Sequence, residues 1–291
     1  MNKFSSINID LPLIHQGKVR DIYSLDHDHL LIITSDRISA FDVVFDDPII
    51  DKGKVLTEVS NFWFKKTQSI VANHLSDLSL DNYLPNDQIT AIADRYVIAK
   101  KLKPIAIEAI VRGYLIGSGW KDYQKDSSVC GIRLPENLQL AQKLPEPIFT
   151  PSTKAAVGDH DVNVSLKEAE EIVGKDLANQ VADISLQVYK YAADYALERG
   201  IIIADTKFEF GLDENNNVVL MDEVLTPDSS RFWSLKDYQV GTSPTSFDKQ
   251  IIRDYLETLD WNKQPPGPKL PEEIVQKTAN KYKEIKAILC E

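Results

Sequence analysis

Cysteine is nearly absent. Only Cys130 and Cys290 occur in 291 residues, far apart in the chain, so neither a disulfide framework nor a cysteine-rich zinc site is expected. No apolar run reaches the length of a membrane span, and the opening MNKFSSINIDLP lacks the apolar core of a signal peptide. Basic charge is short as well. Against 44 Asp and Glu there are 33 Lys and Arg, a formal net charge of −11, which argues against the broad phosphate-neutralising surface of a general nucleic-acid binder. A local basic pocket for a small anion stays open. His15, His27, His29, His74 and His160 show no HExxH or other metal spacing. There is no GxSxG elbow, no HRDxxxxN loop and no DFG. What remains is an ordinary balance, 43% hydrophobic and 26% charged, with length for two lobes. A cytoplasmic globular protein is the expectation.

The first hundred residues read as strand-rich. Gly17 to Tyr23 and Leu30 to Thr34 form two strands around an Asp26-His27-Asp28 turn, a helix covers Leu56 to Gln68, and a further strand spans Arg95 to Lys100. Pro104 marks a boundary between a lobe of residues 1–103 and one of residues 104–291. Strands preceding a mixed part give the α+β class. Residues 131–164, poor in periodicity, read as a long loop. Ser165-x-x-Glu168 is a capping box for a helix stopping at Gly174, and a longer helix follows to Arg199. Pro271 opens a terminal helix with Val275, Thr278, Tyr282, Ile285 and Leu289 on one face.

The stretch ADTKFEFG, residues 204–211, sets Asp205, Lys207 and Glu209 on one face of a strand and Thr206, Phe208 and Phe210 on the other. A turn at Glu214 to Asn217 and a strand from Val218 to Met221 complete a hairpin. An even-length loop centred between Asn215 and Asn216 would set Glu209 opposite Asp222. Two such carboxylates repel by about 4 kcal/mol at roughly 4 Å, and Mg²⁺ held by them and by substrate phosphates would relieve that cost. A solvated face with Lys207 softening the charge is the competing reading.

Other clusters carry weaker signals. Gly17-Lys18-Val19-Arg20 allows close backbone approach to a polyphosphate beside two cations, without being a Walker sequence. Thr34 to Asp42 gathers polar groups at a strand end. Arg112-Gly113 with Gly117-Ser118-Gly119, and Thr226 to Trp233 around Arg231, place arginine forks among hydroxyls, which suits a phosphate monoester. Plain turns and surface arginines are the alternatives.

The ordered set GKVRDIY, TSDRISAFD, IEAIVRGYLIGSGW, EPIFTPSTKAAVGDHD, IIIADTKFEFG and MDEVLTPDSSRFW resembles the SAICAR synthetase family, over nearly the whole chain, in wording closest to its longer fungal-type monofunctional members. The resemblance implies an N-terminal antiparallel β-sheet lobe similar to the protein-kinase ATP lobe and a larger α+β lobe with a terminal helix. It implies a ligase that joins carboxyaminoimidazole ribonucleotide (CAIR) to L-aspartate with ATP and Mg²⁺ in purine biosynthesis, through an acyl phosphate. A monomer is expected ahead of a homo-oligomer. By resemblance, Glu209 and Asp222 bind the metal and, with Gly17, Lys18, Val19, Arg20 and the backbone of Lys100, Lys101 and Leu102, the nucleotide. Lys207 meets the carboxylate or transferring phosphoryl group, and Asp205 orients the amine or accepts its proton. Arg112, Ser118 and Arg231 hold CAIR, Asp36 and Arg37 bind the ribonucleotide or aspartate, and Lys154, His160 and Asp161 lie in a closing loop. A kinase-like small-molecule phosphotransferase and an inactive nucleotide-binding regulator are the alternatives.

Overall fold

A computed structural model describes residues 9–154 and 162–291. His160 and Asp161 lie outside the described residues. Along the chain run β1 (Leu13–Gln16), β2 (Arg20–Ser24), β3 (His29–Thr34), β4 (Ile38–Ala40), β5 (Val43–Phe45), α1 (Lys52–Thr67), α2 (Asn86–Ala91) and β6 (Tyr96–Lys100). Next come β7 (Lys103–Pro104), β8 (Ile107–Tyr114), α3 (Gly117–Asp126), β9 (Ser128–Val129), β10 (Ile132–Arg133), β11 (Lys143–Phe149) and β12 (Ser152–Thr153). The remainder is α4 (Leu166–Val173), α5 (Lys175–Leu197), β13 (Ile201–Leu212), β14 (Val218–Met221), β15 (Ser230–Ser234), α6 (Gln250–Glu257) and α7 (Glu272–Cys290). The α+β class holds. The chain divides into two compact units: Met1–Phe62 with His74–Lys101 and Phe247–Glu291, and Trp63–Asn73 with Leu102–Ser246.

The first unit is built on an antiparallel sheet in the order β1-β2-β3-β6. Alternation puts Tyr23, Leu31, Ile33 and Ile98 into a core shared with Leu80, Leu84 and Ile92. The turn between β2 and β3 forms because the Asp26 carboxylate accepts the backbone N–H groups of Asp28 and His29, both at 2.8 Å. A second core joins the β4–β5 hairpin to the last two helices. Ile38, Val43, Phe45 and Ile49 meet Ile252, Leu256, Leu270 and Ala279. Lys283 pairs with Asp51 at 2.7 Å and Lys286 with Glu58 at 3.0 Å.

The terminal helix therefore groups with the first unit, not with a lobe of residues 104–291. Its expected apolar face is right, since Thr278, Tyr282, Ile285 and Leu289 are buried. Only long-range packing decides which unit that face joins. The division near Pro104 falls between Lys101 and Leu102, because Pro104 pairs with Gly211 of β13.

The second unit is a seven-stranded sheet whose spine runs β11-β8-β13-β14, with β7 and β15 also on β13 and β12 on β8. Helix α5 packs on the sheet through small residues, with Ala178, Ala182, Ser185, Ala192 and Ala196 buried. Gly113 of β8 faces this helix: a Cβ there would meet the Tyr189 hydroxyl at 1.9 Å. Its neighbour Arg112 therefore points to the opposite face.

Two further expectations are corrected in this unit. Residues 131–164 are not one loop, for β10, β11 and β12 lie within them. Pro145 and Pro147 hide β11, an edge strand whose register shifts between Lys143 and Ile148, where missing N–H groups are tolerated. The β13–β14 hairpin pairs Glu209 with Met221 rather than Asp222. Its loop, Asp213 to Asn217, is odd in length. The Asp213 carboxylate accepts the N–H groups of Asn215 and Asn217 at 2.9 and 2.8 Å, and Asn216 takes the left-handed conformation (φ 61°). Asp222 follows β14, itself left-handed at φ 65°.

Candidate active site

Strands β8 and β13 set the first constellation. Their register places Asp205 directly across from Arg112. The Arg112 guanidinium is buried, and each of its nitrogens donates once: to Thr150 Oγ1 at 3.0 Å, Asp205 Oδ2 at 3.1 Å and Ser118 Oγ at 2.9 Å. Arg231, on the other neighbour of β13, donates to the same Asp205 oxygen. Burial acts to lower the pKa of Arg112, and Asp205 opposes it. Two glycines let these side chains close on the start of α3. A Cβ at Gly117 would stand 2.7 Å from Arg231 Nη2, and one at Gly119 would stand 3.0 Å from Arg112 Cδ. Two guanidinium groups, the Ser118 hydroxyl and a helix N-terminus thus converge around one carboxylate. Such a place favours a bound anion.

A second constellation continues along the same strands. Lys207 donates to Glu108 at 2.5 Å and to Glu209 at 3.2 Å, while Lys154 donates to the other Glu209 oxygen at 2.8 Å. Ser152 donates to Glu108 at 3.1 Å. Burial acts to lower the pKa of Lys207, but Glu209, Glu108 and Asp222 outweigh it and raise the value. For Glu209 burial acts upward, and the Lys207 and Lys154 ammonium groups overcome it, holding the carboxyl at about 2. Asp222 is thus near enough to act on Lys207 although it is not opposite Glu209. Among the described residues no cluster of three or more His, Cys, Asp or Glu side chains could hold a metal ion. Glu209 stays ionised, and Asp222 lies near enough to act on Lys207, so the oxygen ligands that Mg²⁺ takes beside phosphate and water are present as side chains.

The first unit holds the remaining predicted residues. Gly17 donates its N–H to the Arg20 carbonyl at 2.7 Å, and a Cβ at Gly17 would stand 2.8 Å from that oxygen, so the turn requires glycine. Lys18 pairs with Asp42, both more than half exposed. Arg20 opens β2 opposite Thr34. Lys100 and Lys101 use their backbone N–H groups on the carbonyls of His74 and Asp28, at 2.7 and 2.8 Å, which leaves those donors committed within the unit.

Asp36 is committed inside the unit. It is buried, accepting from Arg95 at 3.0 Å and from the Gly53 N–H at 2.9 Å near the start of α1. Arg37 likewise faces inward, onto Asp21 at 2.7 Å and onto the carbonyls of Gly17 and Lys18 at 3.1 and 3.2 Å.

The sequence reading missed Glu108, Thr150 and Ser152. A signal for Glu108 was present, since it shares the period-two face of Ile110 and Arg112 in IEAIVRGY. Thr150 and Ser152 had none; the pairing of β12 with β8 brings Ser152 to Glu108.

Known proteins converge on one family. The family model described as SAICAR synthetase matches residues 13–268. Phosphoribosylaminoimidazole-succinocarboxamide synthases of Thioalkalivibrio sulfidiphilus and Neisseria meningitidis are 62% and 58% identical to this chain. The first covers 94% of this chain and 93% of the relative, the second 97% and 98%. A solved SAICAR synthase of Saccharomyces cerevisiae complexed with SAICAR superposes with a TM-score of 0.90 at 46% identity, covering 99% of this chain and 98% of that one. A type-2 SAICAR synthetase in complex with ADP gives 0.70 at 25% identity, covering 94% and 96%. These bacterial relatives are more similar in sequence than the yeast structure, so the fungal label is not supported. The chain belongs to the SAICAR synthetase family.

Proposed function

We propose that this chain is the ligase that condenses CAIR with L-aspartate, at the expense of ATP, to give SAICAR, ADP and phosphate. The observation that carries the reading is the pair of constellations on β8 and β13: an anion clamp beside a chain of alternating carboxylates and ammonium groups. A carboxylate is a poor acyl donor. One of its oxygens attacks the γ-phosphoryl group, the bond to ADP breaks, and an acyl phosphate forms. The aspartate amine then attacks the acyl carbon, phosphate leaves, and the amine gives up a proton. Positioning and charge neutralisation do most of the work in such a sequence.

Arg112, Ser118 and Arg231 hold the phosphate or carboxylate of CAIR. With its Oδ2 shared by two guanidinium groups, Asp205 serves as their orienting counter-ion rather than as the group that takes the amine proton. Lys207 meets the oxygen on which negative charge moves, and Lys154 supports it through Glu209. Glu209 and Asp222 would hold the nucleotide's Mg²⁺, which supplies charge neutralisation on the phosphates. The Gly17–Arg20 turn is assigned to nucleotide phosphate, and the backbone of Lys100 to Leu102 to adenine, through groups other than the committed N–H donors. The soluble substrates fit the cytoplasm.

The test is phosphate release from Mg-ATP with CAIR or L-aspartate omitted in turn. Release that requires both, with equimolar succinocarboxamide, is expected. Release on a hydroxyl substrate without aspartate would replace the ligase by a phosphotransferase.

A further inference from the structure

Three consecutive carbonyls in the glycine turn are tied down by one short segment. The Gly17 and Lys18 carbonyls accept from Arg37, at 3.1 Å from Nη2 and 3.2 Å from Nε. The Val19 carbonyl accepts from Ser35 twice, from its backbone N–H at 2.9 Å and its hydroxyl at 2.6 Å. The Arg37 fork is itself fixed by Asp21, at 2.7 and 3.1 Å, and the pair is only 15% and 13% exposed. In a planar trans peptide the carbonyl and the following N–H point in opposite directions. With these carbonyls drawn toward Ser35 and Arg37, the N–H groups of Lys18 and Val19 are turned the other way. Amide donors turned outward beside the Lys18 ammonium, which pairs with Asp42, are groups that phosphate oxygens can take.

We infer that Arg37 is a positioning residue for the nucleotide: it touches neither ribonucleotide nor aspartate, but with Ser35 it presets the glycine turn in the form that receives polyphosphate. This rests on the proposed nucleotide role of the turn. Preorganisation of a loop raises affinity by removing the cost of ordering it on binding. A lysine at 37 can keep the charge pair with Asp21 but cannot span two carbonyls as the fork does. A residue that merely glues the fold would not distinguish these cases.

The experiment titrates ADP with Mg²⁺, and separately CAIR, into the full chain by calorimetry, with melting temperature recorded alongside. Arg37→Ala is expected to weaken ADP about tenfold or more, the worth of one to two hydrogen bonds, with CAIR affinity unchanged. Arg37→Lys should melt close to the parent yet lose most of the same ADP affinity. Asp21→Asn, which leaves both carbonyl contacts, should lose much less. Parental ADP affinity in Arg37→Lys overturns the inference, as do equal losses for ADP and CAIR that track the melting temperature in both Arg37 variants. Lys18→Ala and Gly17→Ala separate the two levels. If both bind ADP like the parent, the turn is not the phosphate site and the underlying reading fails. If both lose ADP while Arg37→Ala does not, only the role of Arg37 fails.

Discussion

Asp205 and Arg112 oppose each other across the β8–β13 ladder and share an ion pair of 3.1 Å, each less than 5% exposed. Arg231 shares the same carboxylate. Asp205→Asn keeps the shape and removes the charge, leaving two guanidinium groups with one compensating anion fewer. Breaking a buried pair from one side costs about 3–5 kcal/mol, so the variant should melt well below the parent. An anionic ligand in the clamp would restore the missing charge. CAIR should therefore raise the melting temperature of Asp205→Asn by more than it raises that of the parent. An equal rise would place the CAIR anion elsewhere.

Glu108→Gln should preserve an acceptor for Ser152 and remove one of the carboxylates that raise the Lys207 pKa. Lys207 then leans on Glu209, the group needed for the metal. We expect kcat to fall by about tenfold or more while ADP affinity stays within about twofold, an effect of the size general for a mispositioned catalytic group. Unchanged kcat would make Glu108 a structural counter-ion alone.

Asp222→Asn keeps a residue that tolerates the left-handed conformation at φ 65° but removes a charge from the expected metal position. Turnover should be abolished with little change in melting temperature, and no Mg²⁺ concentration should restore it. Near-normal ADP release at saturating Mg²⁺ would take Asp222 out of the metal site.

His74 gives a pH signature. It is buried, and that burial, reinforced by Arg20, holds its pKa down to about 4 from the ordinary 6.5. The folded state therefore resists a proton that the unfolded chain accepts. The stabilisation is full above about pH 6.5 and is lost as pH falls toward 4, amounting to roughly 3 kcal/mol over that interval. In denaturant titrations across that range His74→Gln should flatten the decline. Parallel curves for parent and variant would remove His74 as its source.

Local signals in the sequence were read correctly where a few neighbouring residues decide the outcome. Ser165 and Glu168 form the expected reciprocal cap, and the alternation of residues 205–210 separates Lys207 and Glu209 from the buried Phe208 and Phe210. The hairpin failed by one residue because an Asp213-centred turn adds a position to the loop, and a one-residue change alters every cross-strand partner. Asp36 looked like a ligand group because its partner Arg95 lies 59 residues away. Glu108 was passed over although its strand face already carried Arg112. Long-range pairing, invisible in composition or periodicity, accounts for Asp36, whereas the hairpin turn and the Glu108 face are local features.

The first unit gathers three separated stretches of chain, and its second core closes only with Ile252, Leu256, Leu270 and Ala279. A ribosome delivers the whole of β7 to β15 before any of those four residues. During synthesis the second unit can complete its sheet while the first still lacks part of its interior. The unit that begins the chain is thus the last to be finished, and a nascent chain should acquire protease resistance in the opposite order to its numbering.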